Sequence, residues 1–198
     1  MSRRAVVLVE GISDSIALAT LARRRGRDLD AEGVSVVPIG GAQAIGRFLQ
    51  RLGPRADVRL AGLCDAGEEP EFRRALERAG LGSHLTLADM ERLGFYVCVA
   101  DLEEELIRSL GADAVEEIVG ANGDLRSFRT LQKQAAWRGR PREEQLRRFM
   151  GSGGRRKTRY ARLLVEALDL DRVPRPLDGV LAHVRSAAAG DTPSGRAG

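Results

Sequence analysis

Histidine and cysteine are nearly missing from this chain, and their scarcity removes several chemistries at once. With only His84 and His183, and only Cys64 and Cys98, there is no Cys/His cluster at zinc-ligand spacing. Nucleophilic triads likewise have little material to draw on. Each cysteine lies within an apolar run, where a reduced thiol behaves as a small core hydrophobe. No apolar run approaches the roughly 20 residues that span a bilayer, so no membrane association is expected. The Met-Ser-Arg-Arg start leads directly into a strand rather than a signal-peptide core, and a cytoplasmic location is expected. Lysine is scarce too, with Lys133 and Lys157 alone among 32 basic residues. Part of the basic character is therefore a preference for arginine on solvated helices.

The basic residues that are present are unevenly placed. Residues 126–162 hold thirteen Lys/Arg against two acidic residues, net +11, whereas residues 1–125 hold fifteen against twenty-one, net −6. An acidic front and a basic back suit a metal-loaded carboxylate site beside a phosphate-binding surface.

The hydrophobic pattern alternates strand and helix through the first half. Strands are predicted over 5–9, 34–41, 58–65 and 94–101, and helices over 14–25, 42–53, 69–82 and 102–111. This βαβαβαβα order predicts an α/β fold with a mostly parallel sheet flanked by helices. Past a soft boundary near 111 the strand signal ends. Short helices separated by glycine follow, over 113–123, 125–137, 142–151 and 159–171, and form a basic helical extension spanning 112–189. "GSGGRRKTRY" reads as a glycine-flanked basic loop suited to close approach to phosphate, without being a Walker sequence. Residues 190–198 are expected to be a disordered tail. "PIGGAQAIGRF" lacks a dinucleotide-binding fingerprint and reads as a packing turn. Trp137 and Tyr160 have two readings, as base-stacking platforms or as core aromatics.

In an open parallel sheet the functional groups gather at the carboxyl ends of the strands. Glu10 ends the first strand, Asp65 the third and Asp101 the fourth. Three carboxylates on one edge repel one another, so a cation shared among Glu10, Asp65 and Asp101 is the economical explanation. Gly11 permits a tight turn, and Asp14 either points back to the same edge or caps the following helix.

"LVEGISD", "GLCDAGEE" and "VADLEEELIRSLG" together resemble a Toprim domain, the carboxylate fold shared by topoisomerases, bacterial primases and overcoming-lysogenization-defect (OLD) nucleases. "DLEEELIRSLG" and the extension bearing "GRRKTRYARLLVEAL" favour the OLD branch, in a stand-alone form. The resemblance implies a Toprim, Rossmann-like sheet and cleavage of DNA dependent on one or two ions of Mg²⁺ or Mn²⁺, with a separate or fused ATPase. The chain has no Walker lysine loop, so ATP dependence would come from another polypeptide. Carried over by position, Glu10 and Asp14 match the first-motif carboxylates, Asp65 the leading aspartate of Asp-x-Asp, and Asp101 with Glu103 the last acidic pair. Lys157 matches the basic residue that contacts the scissile phosphate, which makes Glu10 and Lys157 the catalytic candidates. Arg155, Arg156 and Arg159 are the expected nucleic-acid contacts. One departure stands out: Asp-x-Asp is replaced by Asp65-Ala66-Gly67, and Glu68 or Glu69 substitutes for the second carboxylate only if the loop folds back. The incomplete motif keeps open a non-catalytic module that binds nucleic acid or an ATPase. Primase-like nucleotidyl transfer is a weaker alternative, because the chain has no zinc-binding domain.

Overall fold

The computed structural model describes residues 4–52 and 58–189. The expected tail, 190–198, lies outside the described residues. The strands are β1 (Ala5–Val9), β2 (Val34–Pro38), β3 (Arg59–Asp65) and β4 (Phe95–Cys98). The helices of the first half are α1 (Ile12–Arg24), α2 (Ile45–Leu52), α3 (Glu69–Arg78), α4 (Leu87–Arg92) and α5 (Leu102–Leu110). Those of the extension are α6 (Ala112–Ala121), α7 (Leu125–Lys133), α8 (Arg142–Met150), α9 (Gly154–Ala167) and α10 (Arg175–Ala189). Among the described residues, no helix is long and apolar enough to cross a membrane.

All strand pairs are parallel, in the order β2-β1-β3-β4. This is the α/β fold expected from the alternating pattern. The "AVVLV" run of β1 is apolar throughout because both its faces are covered. Val6 and Leu8 pack with Ile45, Leu49, Phe72, Leu76 and Met90 on the side of α2, α3 and α4. Ala5, Val7 and Val9 belong to a larger cluster that runs through Leu18 and Leu21 of α1 and on to Phe128, Phe149, Tyr160, Leu164 and Val184. The extension is thus packed into the same core as the first strand.

Two long-range anchors set where the extension lies. Arg24, at the end of α1, donates from Nη1 to the carbonyls of Val165 (2.9 Å) and Leu168 (2.6 Å) at the end of α9. A cation at that carboxyl terminus also complements the helix dipole. Against the sheet, α10 is seated through close approaches. A Cβ at Gly179 would overlap the Tyr96 ring, and one at Gly94, where φ is +88°, would overlap His183. Both approaches require glycine.

Several element boundaries differ from the sequence reading. Helix α1 starts at Ile12, two residues early, and β2 stops at Pro38 instead of 41. The basic stretch read as a loop is the first turn of α9, which begins at Gly154 instead of 159. Helices α4 and α10 were not expected.

Candidate metal centre

The strand order reverses at β1, whose neighbours β2 and β3 lie on opposite sides, so the crevice between β1 and β3 is the topological switch point where open α/β sheets place their ligands. Glu10 directly follows β1, and Asp65 closes β3. The turn after β2 fixes the backbone at Glu10: Gly40 and Gly41 both donate to its carbonyl, at 3.1 and 3.2 Å. Their φ values of +76° and +110° explain the glycine pair in "PIGG", which acts as the packing turn expected of it.

Gly11 is the extended N-cap residue of α1, and Asp14 reaches back from the first turn so that its Oδ2 accepts the Gly11 N–H at 2.8 Å. Glycine has no side chain with which to reciprocate, so the capping side chain here is that of Asp14. Asp14 is 7% exposed, and Glu10 Oε2 is buried without a hydrogen-bond partner among the described residues. Burial raises the pKa of Glu10, and Glu68 and Asp14 add to the rise while Lys157 opposes it. Burial also raises Asp14, against the Gly11 hydrogen bond and Lys157. Asp65 is pushed up to about 7 by burial and then by Glu10, Asp14 and Asp101, again against Lys157. These carboxylates share one field.

Asp101 and Glu103 are held differently. Asp101 is the N-cap of α5: its Oδ1 accepts the Glu104 N–H at 2.8 Å, while its Oδ2 accepts from Arg147 Nε at 2.6 Å. Buried Glu105 accepts the Val99 N–H at 2.8 Å and pairs with Arg108, which ties down the loop leading to Asp101. Glu103 is 5% exposed, and its Oε1 lies 3.6 Å from Lys157 Nζ without a hydrogen bond. Burial raises the Glu103 pKa, with Lys157 opposing. For Lys157, burial is the largest influence and works against the charged form. Glu103, Asp14, Asp65 and Asp101 together outweigh it and hold the ammonium above the ordinary lysine range.

The expectation that Glu10, Asp65 and Asp101 converge within one ion's reach is not met by the side-chain positions. Among the described residues no three Asp, Glu, His or Cys side chains are grouped tightly enough to hold an ion. The reason for Asp101 is its engagement with Arg147 and the α5 backbone. Arg147 carries no sequence signal: it is one of three arginines in "REEQLRRFM", and only the packing of α8 on α5 reveals its role. In donor chemistry and charge the residues still fit a divalent cation. They are hard oxygen donors, two of their oxygens are buried and unpartnered, and their mutual repulsion is relieved by positive charge. Glu69 pairs with Arg73 at 3.3 Å, whereas Glu68 closes the turn onto the Asp65 carbonyl (3.0 Å) and is the carboxylate that acts most strongly on Glu10.

The three arginines expected to bind nucleic acid have different surroundings. Arg155 is exposed, and its guanidinium has no partner among the described residues. Arg156 lies 4.2 Å over the Phe149 ring and donates to Ser152 Oγ at 2.7 Å. Arg159 pairs with Asp124, which also accepts the Tyr160 hydroxyl at 2.9 Å. Tyr160 is fully buried and belongs to the core, while Trp137 is half-buried with Arg140 5.4 Å from its ring.

Residues 3–66 match the family model described as "Overcoming lysogenization defect protein-like, TOPRIM domain". That match takes in Glu10, Asp14 and Asp65. Among solved structures, the chain is similar to the C-terminal region of the Xanthomonas campestris pv. campestris OLD protein, with 24% identity, a TM-score of 0.73 and 94% of each chain covered. It is also similar to the C-terminal region of the Burkholderia pseudomallei OLD protein, with 19% identity, a TM-score of 0.70, and 96% of this chain and 100% of that one covered. Comparison with curated proteins gives no match. The structural likeness extends the fold beyond the matched segment to nearly the whole chain, so that residues 3–66 are similar to an OLD-like Toprim domain and the chain has the fold of the OLD C-terminal regions.

Proposed function

We propose that the chain is a divalent-metal-dependent phosphodiesterase that cleaves DNA, with residues 1–111 supplying the carboxylates and residues 112–189 the cations. The observation that carries this reading is Lys157. Its ammonium lies 3.6 Å from Glu103 and acts on Glu10, Asp14 and Asp65 as well, which places one cation from the extension within the field of the strand-end carboxylates. Glu10, Asp14 and Asp65, with Glu68 in place of the missing aspartate, would hold Mg²⁺ or Mn²⁺. A bound ion of this kind supplies an activated water and stabilises the leaving oxygen. Glu10, with one buried unpartnered oxygen and a raised pKa, is suited to take the proton of the attacking water. Lys157 offsets charge that develops on the phosphate. Arg155, exposed on the first turn of α9, contributes sequence-independent grip on the DNA backbone.

The test is strand cleavage by purified protein with Mg²⁺ or Mn²⁺, alone and with a candidate ATPase. Glu10→Gln removes charge without volume and should abolish cleavage while leaving the fold intact. Lys157→Ala should lower cleavage more than DNA binding, because charge stabilisation acts mainly in the transition state. A Glu10→Gln protein that cleaves as well as its parent refutes the assignment. The second reading, a module that binds DNA or an ATPase without cutting, is favoured by Asp65-Ala66-Gly67 and by the engagement of Asp101 with Arg147. DNA binding with no cleavage under any of these conditions supports it.

A further inference from the structure

The candidate centre is divided by charge. On the sheet side, Glu10, Asp14 and Asp65 have no ion-pair partner among the described residues; on the helix side, each carboxylate has a cation supplied by the extension. Lys157 stands 3.6 Å from Glu103 at the edge of contact, but Arg147 makes a direct hydrogen-bonded pair with Asp101 at 2.6 Å. Both oxygens of Asp101 are then in use, one by Arg147 and the other by the Glu104 N–H. Each oxygen keeps a further lone pair, but an ion at Oδ2 would set a second positive charge against the Arg147 guanidinium, so the two compete for that oxygen. The backbone donor is fixed by the first turn of α5, whereas the Arg147 side chain is 44% exposed and borders solvent.

We propose that Arg147 is a built-in competitor of the metal for Asp101, so that the sheet-side carboxylates form the tighter ion site and Asp101 joins only when Arg147 is displaced. This rests on the metal-dependent reading above, and deepens it by assigning an unequal role to two groups of carboxylates. It also gives the extension a second task besides binding DNA. A phosphate brought to the centre offers Arg147 an alternative bidentate partner, so substrate arrival and release of Asp101 favour each other.

The experiment is Mn²⁺ titration of the whole chain by calorimetry and by electron paramagnetic resonance, without DNA, on four proteins: the parent, Arg147→Met, Asp101→Asn and the double variant. Arg147→Met should tighten the weaker Mn²⁺ binding about fivefold, the equivalent of about 1 kcal/mol for a partly exposed ion pair. Asp101→Asn should leave the tighter binding unchanged. Arg147→Met made in the Asp101→Asn background should change nothing, since no carboxylate is left to release. A general loss of positive charge would instead tighten binding equally in both backgrounds, and that result overturns the proposal. So does an Asp101→Asn protein that has lost the tighter site. If the Arg147→Met protein does not fold, Arg147→Gln, which stays polar but removes the charge, should tighten binding in the same direction, and no change overturns the claim. A parent that binds no Mn²⁺ overturns the metal-dependent reading itself, whereas identical isotherms for parent and Arg147→Met remove only the competitor.

Discussion

Asp65→Asn should stabilise the metal-free protein, and the pH dependence of that gain checks the electrostatic account of the site. Asp65 ionises near 3.8 in an unfolded chain and is pushed up to about 7 here by burial, Glu10, Asp14 and Asp101. Below about pH 4 both states are protonated, and the residue contributes nothing. Between about pH 4 and about pH 7 the unfolded chain ionises first, so the fold loses stability as pH rises. Above about pH 7 both states are charged, and the full penalty stands. The gap between 3.8 and about 7 corresponds to roughly 4 kcal/mol, and solvent screening of a half-exposed carboxylate reduces it to about 2 kcal/mol. For a chain of this length that is about 5 °C in Tm. Scanning calorimetry in chelator should show the asparagine protein ahead by this margin near pH 8, with the lead shrinking steadily toward pH 4. Saturating Mn²⁺ should reverse the order, since the parent gains more from an ion it binds more tightly. An advantage that is independent of pH would refute the reasoning, because packing rather than charge would then be its source.

Two further outcomes follow from the packing of the extension. Arg155→Ala should lower the salt dependence of DNA binding by about one unit of slope without changing stability, whereas Arg159→Ala should cost about 1 kcal/mol of stability through Asp124 and leave the slope unchanged; fluorescence anisotropy over a salt series and chemical denaturation separate the two, and equal slopes for both variants would count against the assignment. Gly179→Ala should cost about 2 kcal/mol in urea denaturation by forcing the Tyr96 ring aside, and an unchanged midpoint would show that α10 is not seated on β4 as described.

The elements that local pattern determines were legible in the sequence. The β1 run, the strand-end position of Asp65 and the glycine stop of α5 can all be read from a few neighbouring residues. Helix α4 was hidden because it has only six residues, although Thr86 caps it through the Asp89 N–H at 3.2 Å. Helix α10 was hidden by prolines at 174 and 176 and by Gly179, a residue that weakens a helix locally but lets Tyr96 approach. The start of α9 was masked by Gly153 and Gly154, which read as a loop although Gly153, with φ +95°, is the N-cap residue. Within the candidate site, the positions of Glu10 and Asp65 at strand ends were legible because strand ends are local features. Lys157 was reached only through the resemblance, and Arg147 was not reached at all, since it is 46 residues from Asp101 and nothing near either one announces the pairing.

That division between local and long-range information also describes how the centre is assembled. Strand ends and the turn after β1 bury like charges side by side, and the raised pKa values of Glu10, Asp14 and Asp65 follow from that burial first and from neighbouring carboxylates second. The compensating cations must come from elsewhere in the chain, and they come on α8 and α9. What holds those helices at the right distance is the shared apolar core and Arg24, whose hydrogen bonds to Val165 and Leu168 fix the far end of the helix that carries Lys157. Helix α1 begins directly after the Glu10-Gly11 turn, so one rigid helix connects a strand-end carboxylate at its amino end to the anchor of α9 at its carboxyl end. The spacing between Glu10 and Lys157 is therefore set by helix packing instead of by a loop, which is the arrangement that a preorganised charge site requires.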